Sequence, residues 1–547
     1  MGALLFAAVL VPLLLALALA LPRLRGAVLA LAPWAAAPAL AAALFAPPAV
    51  IDVPALLLGL RFGLDETGRS FLLFTSVLWL IAGFAARAYH ADDPRRHVLW
   101  AFWLAALAGN LWLIVALDAA GFYAGFALMS FAGYGLVVHA RSDEAWRAGR
   151  IYLVMAVLGE AALLAGLLLR VAPIGSIALP LPPAAGSHET LATVLLFAGF
   201  GVKAGVLGLH MWLPLAHPVA PTPASAVLSG AMIKAGVLGW MRFLPLGDQA
   251  WPTFGATVTV LGLAAAFAAV AVGLTQRTPK TLLAYSSVSQ MGFLTVGIGA
   301  ALMLPAAWPA LSAAIALYAL HHALAKGALF LGVAAIPAGG PTRRWALAAL
   351  ALPALALAGA PLSSGAQAKE ALKSALSLLP GEWPAWLAWL LPAAAVGTTL
   401  LMARFLVVMA AEAPGPKRGA ALPWLAAVAA SAAAAGFVAP PTVVAAAVPI
   451  AIGVGVAAVV LALRPLAATR PFRIPAGDVL AWLSPPVRAA WRGLLAIAAL
   501  ADRATQPPIN ARRVSPIAVA ERGLTGFAVA GLACLLLLTA AMLALWR

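Results

Sequence analysis

Long unbroken runs of apolar residues make up most of the chain, and polar residues gather in short stretches between them. A helix rises about 1.5 Å per residue, so roughly 20 apolar residues cross a hydrocarbon core of about 30 Å. On that measure the pattern predicts sixteen spans, at 3–21, 27–46, 69–88, 97–117, 120–140, 151–171, 191–212, 224–243, 252–274, 281–303, 309–337, 344–380, 383–411, 421–439, 443–463 and 523–546. The twelfth contains Pro361 and Ser363-Ser364-Gly365, which predicts two half-helices with an unwound middle. The first run looks like a secretion signal only superficially, because Arg23 and Arg25 follow its apolar stretch instead of preceding it. It is read as span one, with its start outside. The expected fold is an all-α polytopic membrane protein of about 14–16 transmembrane helices.

Composition agrees. The 547 residues are 64% hydrophobic and 9% charged, with a mean hydropathy of +1.02, which excludes a soluble globular domain. The single cysteine, Cys534, excludes an internal disulfide, an iron–sulfur cluster and a cysteine zinc site. The formal charge of +17 does not signal nucleic acid, because the arginines sit in short loops between spans. Basic residues concentrate in the loops after spans 1, 3, 5, 9, 11, 13 and 15, for example Arg95/Arg96, Arg277/Lys280 and Lys417/Arg418. The positive-inside rule then places both termini outside and the 464–522 segment in the cytoplasm. In that segment Val479, Leu483, Trp491 and Leu495 recur near helical spacing among Arg488, Arg492 and Arg503. This suits an amphipathic helix at the interface, or equally a docking surface for another subunit. The expected divisions are 1–96 (N-terminal helices), 97–250 and 251–411 (two halves), 412–463 (C-terminal helices), 464–522 (interfacial segment) and 523–547 (last helix).

Lysine is nearly absent, and its placement is unusual. Of 34 basic residues, 27 are Arg and seven are Lys. Lys203, Lys234, Lys326 and Lys369 fall inside apolar runs, where a charge costs about 3 kcal/mol or more on insertion scales. Arginine keeps its proton in proteins, whereas a buried lysine can give its proton up. Arginine outside and lysine inside is the pattern of a proton path. Lys280 and Lys417 lie near loops and read as topology markers.

The densest chemistry lies in Gly201–Phe243, with Lys203, His210, His217, Lys234 and four prolines. Pro214, Pro218, Pro221 and Pro223 predict that the chain unwinds there, near the cytoplasmic end of span 7. Lys234 stands about eleven residues into span 8, near mid-depth. In span 11, His322 and Lys326 share a helix face, and a neutral imidazole beside an amine suits proton relay. His321 is read either as a relay member or as a space-filling core residue, and His217 either as a path member or as a helix-end cap. Lys369 and Glu370 sit at the break of span 12, and Glu160 is the acid placed deep in a span of the first half. No ligand-like spacing links the histidines with Glu160, so no metal site is expected. Lys203 and Lys369 lie five spans apart, in helices of opposite direction beside Pro or Gly breaks. Two inverted five-helix repeats with broken helices 7 and 12 would have that form.

The segments HMWLPLAHPVAPTPASAVLSGAMIKAGV, TPKTLLAYSSVSQMGF, HALAKGALFL and PLSSGAQAKEAL, in that order, resemble the proton-translocating, antiporter-like membrane subunits of respiratory complex I. The same family includes large subunits of Mrp-type sodium/proton antiporters, membrane subunits of energy-converting hydrogenases, and the membrane partner of a bicarbonate-accumulating complex. The resemblance covers about residues 60 to 410. It implies that Lys203 is the lysine of the first half-channel and Lys234 the lysine connecting the halves. His322 and Lys326 become the central relay, Lys369 the lysine facing the outer exit, and Arg404 a recurrent arginine of span 13. It further implies no cofactor in the chain itself. The implied partners are other membrane subunits and a soluble energy-coupling module, with protons or alternatively sodium as the ion. The implied location is a bacterial inner membrane.

One departure bears on mechanism. The family usually carries a glutamate in span 5 that pairs with the span-7 lysine, and here that position is Ala127. The acid often found after Trp-Leu-Pro is Leu215. Either Glu160 substitutes from span 6, or the first half-channel works differently. The expected function is a proton-moving subunit of a multi-subunit energy-coupling complex. The alternatives are a bicarbonate-accumulating complex whose proton flux drives a soluble zinc partner, and a membrane scaffold with a vestigial channel.

Overall fold

Without water to bond to, a backbone inside a bilayer must satisfy its own N–H and C=O groups, which drives a chain of this composition into helices. The computed structural model describes residues 2–181, 187–412, 419–437, 443–463 and 474–477. The predicted last span, Lys417 and Arg418, and all but four residues of the interfacial segment lie outside the described residues.

Three short helices open the chain: Gly2–Ala18 (α1), Arg25–Leu31 (α2) and Ala37–Phe45 (α3). An antiparallel hairpin follows, Val50–Val53 (β1) against Leu60–Gly63 (β2), with Arg61 paired to Asp52. The apolar pattern gave no sign of this hairpin, which is the one departure from helix among the described elements. Four long helices come next: Glu66–Tyr89 (α4), Arg96–Val115 (α5), Ala119–Val137 (α6) and Asp143–Val171 (α7). Their starts follow local chemistry. Asp65 accepts the Gly68 amide at 2.6 Å, Asp118 the Gly121 amide at 2.6 Å, and Ser142 the Ala145 amide at 3.2 Å. Each such N-cap stabilises a helix by about 1 kcal/mol.

The middle of the chain is interrupted repeatedly. Ser187–Ala204 (α8), Trp212–Val219 (α9), Thr222–Val227 (α10) and Lys234–Phe243 (α11) follow one another, with a π-helical turn at Leu228–Met232 joining the last two. The prolines do not set the main break. Pro214 sits in the first turn of α9, where its missing N–H leaves no helical bond unmade, and Pro218 lies near the end of that helix. The chain instead unwinds over residues 205–211, where Gly205 and Gly208 hold φ of +79° and +88°.

The second half comprises Pro252–Leu274 (α12), Pro279–Met303 (α13), Trp308–Val333 (α14), Thr342–Ala358 (α15), Ser364–Leu376 (α16), Trp383–Glu412 (α17), Ala421–Ala433 (α18) and Val443–Leu463 (α19). The predicted break of span 12 is present between α15 and α16. Gly359 caps α15 at φ +97°, and Ser363 accepts the Ala366 amide at 3.3 Å to start α16. Among the described residues eleven helical segments are long and apolar enough to cross a membrane. Their burial identifies the centre. The α13 window is fully buried, the α10–α11 segment is 94% buried and α14 is 89% buried, against 6% for α19. Those central helices carry Lys234, His321, His322 and Lys326.

Candidate functional site

The π-helical turn at Leu228–Met232 matters because a widened turn leaves carbonyls without their usual helical donors. The Lys234 ammonium, fully buried, donates to the Ser229 carbonyl at 2.6 Å. The Ser229 and Ser287 hydroxyls lie 2.7 Å apart, and Ser287 donates on to the Leu283 carbonyl at 3.0 Å. That same carbonyl accepts the buried Lys326 ammonium at 2.7 Å. Two lysines from α11 and α14 are thus joined through two hydroxyls and two backbone carbonyls. They interact electrostatically, and both act on the His322 ring.

The expected His322–Lys326 pairing takes a different form. Lys326 turns to the α13 carbonyl, and neither nitrogen of the buried His322 ring makes a hydrogen bond among the described residues. His321 does more than fill space: its Nδ1 lies 2.8 Å from the Ser364 hydroxyl at the start of α16. His217 does not cap a helix through its side chain. Its ring is buried and stacks on Phe330 at 4.7 Å, within electrostatic reach of Lys280, Lys326 and Lys234. His210 Nδ1 accepts the Gly208 amide at 3.3 Å, beside the Tyr285 ring. Lys280 is not a solvent-facing marker. Its ammonium donates to the Ala220 carbonyl at 2.5 Å and reaches Pro218 at 3.4 Å, so it holds the turn between α9 and α10.

Lys203 occupies a separate pocket. Its ammonium donates to the Tyr152 hydroxyl at 3.2 Å and lies 5.3–5.9 Å from the ring centres of Phe126, Tyr152 and Trp212. Aromatic faces stabilise a cation there by about 0.5–2 kcal/mol each. Glu160, from α7, lines the same small cavity as Ser130 and interacts with Lys203 electrostatically. Lys369 closes the row. From α16 its half-buried ammonium bonds back to the Leu357 and Ala358 carbonyls at 3.1 and 2.5 Å, across the break in span 12. It lines a cavity of about 70 Å³ together with Glu370 and Lys373. Arg404 lies 3.5 Å from the Gln276 carbonyl.

Residues 116–365 match the family described as NADH:quinone oxidoreductase/Mrp antiporter, transmembrane. Hydrogenase-4 component B of Escherichia coli is 29% identical over 51% of this chain, and the chain spans only 43% of that relative's length. NADH-quinone oxidoreductase subunit N of Cereibacter sphaeroides is 31% identical over 422 residues, covering 73% of this chain and 87% of that relative. The chain belongs to the antiporter-like membrane-subunit family.

In fold, the antiporter-like subunit resembles a chain of the Mrp complex from Dietzia sp. DQ12-45-1b, with a TM-score of 0.70 at 24% identity, covering 94% of this chain and 64% of that one. It is a multi-pass membrane protein. The family match includes Lys203, Lys234, His322 and Lys326 and ends just before Lys369. Sequence reasoning missed Tyr152, Ser229, Ser287 and Lys280. Ser287 stands in the TPKTLLAYSSVSQMGF segment, so an intramembrane hydroxyl inside a family motif was the available signal. Ser229 stands in the HMWLPLAHPVAPTPASAVLSGAMIKAGV segment and carried the same signal, whereas Tyr152 carried none, because its value depends on which helices pack beside it.

Proposed function

We propose that this antiporter-like subunit translocates protons within a multi-subunit energy-coupling complex of a bacterial inner membrane, along Lys203, Lys234, His322, Lys326 and Lys369. What carries this reading is the joined Lys234–Ser229–Ser287–Leu283–Lys326 arrangement at the most buried part of the molecule. Each ammonium there donates to a backbone carbonyl, with no carboxylate bonded to it among the described residues. The two ammoniums act on each other electrostatically, so loss of one proton changes the affinity of the other amine. The Ser229 and Ser287 hydroxyls lie between the two carbonyls that hold the amines, and a hydroxyl can accept one proton while donating another. His321 and Ser364 then lead toward Lys369 and the break of span 12. Glu160 serves Lys203 in place of the carboxylate missing at Ala127.

The family relatives named as NADH-quinone oxidoreductase and hydrogenase-4 components support a complex with further membrane subunits, to which the proposal adds a soluble energy-coupling module. The cytoplasmic face, where Arg95 and Lys280 lie, takes up the proton, and Lys369 releases it on the other side.

The test uses Lys234→Ala, Lys234→Arg and Lys326→Ala in native membranes, with assembly followed on native gels. Proton pumping should fall at least tenfold, equivalent to about 1.4 kcal/mol or more on the slowest step, in all three variants. Lys234→Arg matters most, because it keeps the charge and removes the ability to release the proton. Normal pumping in that variant would sink the reading.

A further inference from the structure

Away from the lysine row, the loop between α4 and α5 meets the C-terminal end of α6 at a cluster the sequence gave no reason to expect. His90 Nδ1 lies 2.9 Å from Asp93 Oδ2, and His139 Nε2 lies 2.7 Å from the same oxygen. The two imidazoles stand edge to face, with centroids 5.3 Å apart. All three candidate ligand atoms fall within 4.8 Å of one another. His90 and His139 are buried and Asp93 is half-buried, and the three line one wall of a cavity of about 850 Å³. This is the only such group of His, Cys, Asp and Glu side chains among the described residues.

We propose that His90, Asp93 and His139 form a binding site for a single divalent transition-metal ion, with Zn²⁺ as the expected occupant. The donor set is two imidazoles and one carboxylate. Imidazole nitrogen suits zinc, copper and nickel, whereas magnesium and calcium require an oxygen shell that these residues do not supply. Zinc bonds of about 2.0–2.2 Å in a tetrahedron place ligand atoms about 3.3 Å apart. The cluster meets that spacing if Asp93 Oδ2 withdraws by a few tenths of an ångström and the two rings close toward each other. A water from the cavity completes the fourth position.

The surroundings prepare the carboxylate. Asp93 Oδ1 accepts the Arg95 backbone amide at 2.9 Å, which fixes its orientation as outer-shell bonds do at metal centres. Two cations share the cavity wall, Arg95 and Lys280. The Lys280 ammonium is directed at the Ala220 and Pro218 carbonyls, and Asp92 adds a further acid to the wall.

The experiment takes the full-length chain in lipid nanodiscs, purified through a tag without histidines. Zn²⁺ titration by calorimetry and metal content after dialysis should give one bound ion, unaffected by millimolar Mg²⁺. His90→Ala and His139→Ala should each weaken binding at least tenfold. X-ray absorption on the wild type should show two imidazole nitrogens on the zinc, a readout that needs no variant. Absence of zinc from the wild type, wild-type affinity in either variant, or a zinc shell without imidazole would each overturn the assignment.

Discussion

The Lys203 pocket holds its ammonium without a carboxylate from α6, which contributes Phe126 and Ser130 to the cavity. Three aromatic rings and the Tyr152 hydroxyl surround the ammonium instead, and the carboxylate that reaches the cavity comes from Glu160 on α7. Aromatic faces stabilise a cation but do not take its proton, so Glu160 is the residue able to tune the exchange. Glu160→Gln keeps the shape and removes the charge. It is expected to lower proton pumping at least tenfold, about 1.4 kcal/mol, with assembly unchanged on native gels. Unaltered pumping would mean that Glu160 plays no part in the first half-channel.

Broken helices place charges where continuous ones could not. An unbroken span 12 would satisfy the Leu357 and Ala358 carbonyls internally, and the break frees both for Lys369. Gly359 makes the break possible, since its left-handed conformation costs other L-residues about 1–2 kcal/mol. A Cβ at Gly359 would also stand 3.1 Å from Lys369 Cδ and 3.2 Å from its nitrogen. Gly381 offers a control, with φ +66° and nothing within 4 Å of an added Cβ. Gly359→Ala and Gly381→Ala should lower thermal stability similarly, by about 1–2 kcal/mol each. Only Gly359→Ala should also reduce pumping, because only there does the new methyl crowd the lysine. Equal pumping in the two variants would detach Lys369 from the break. The π-helical turn before Lys234 works the same way in the first half, by presenting the Ser229 carbonyl to the ammonium.

Among the described residues, burial is highest in the central helices and lowest in α19. The helices carrying Lys234, Ser287, His322 and Lys326 are almost wholly enclosed, while α19 and much of α7 present apolar residues outward. An apolar exterior of this kind faces lipid or further membrane subunits. Gentle detergent extraction followed by mass spectrometry should recover at least one other polytopic membrane protein in stoichiometric amount with this chain. Recovery of the chain alone would remove the complex-based part of the proposed function.

The sequence by itself determined the helices and the charges within them. Apolar run length and the backbone's need for internal hydrogen bonds dictate spans, and Pro361 with Ser363-Ser364-Gly365 marks the break of span 12 in the sequence alone. The rarity of lysine made Lys203, Lys234, Lys326 and Lys369 stand out before any helix was placed. The partners of those lysines belong to the tertiary structure. Ser229 and Ser287 are 58 residues apart, Tyr152 and Lys203 are 51 apart, and Asp93 and His139 are 46 apart. An apolar helix carries little signal for its own rotation, because every face is compatible with lipid or core. Which side chain meets which is therefore decided by how the helices pack, as it is for the break in span 7, set by two glycines although four prolines lie nearby.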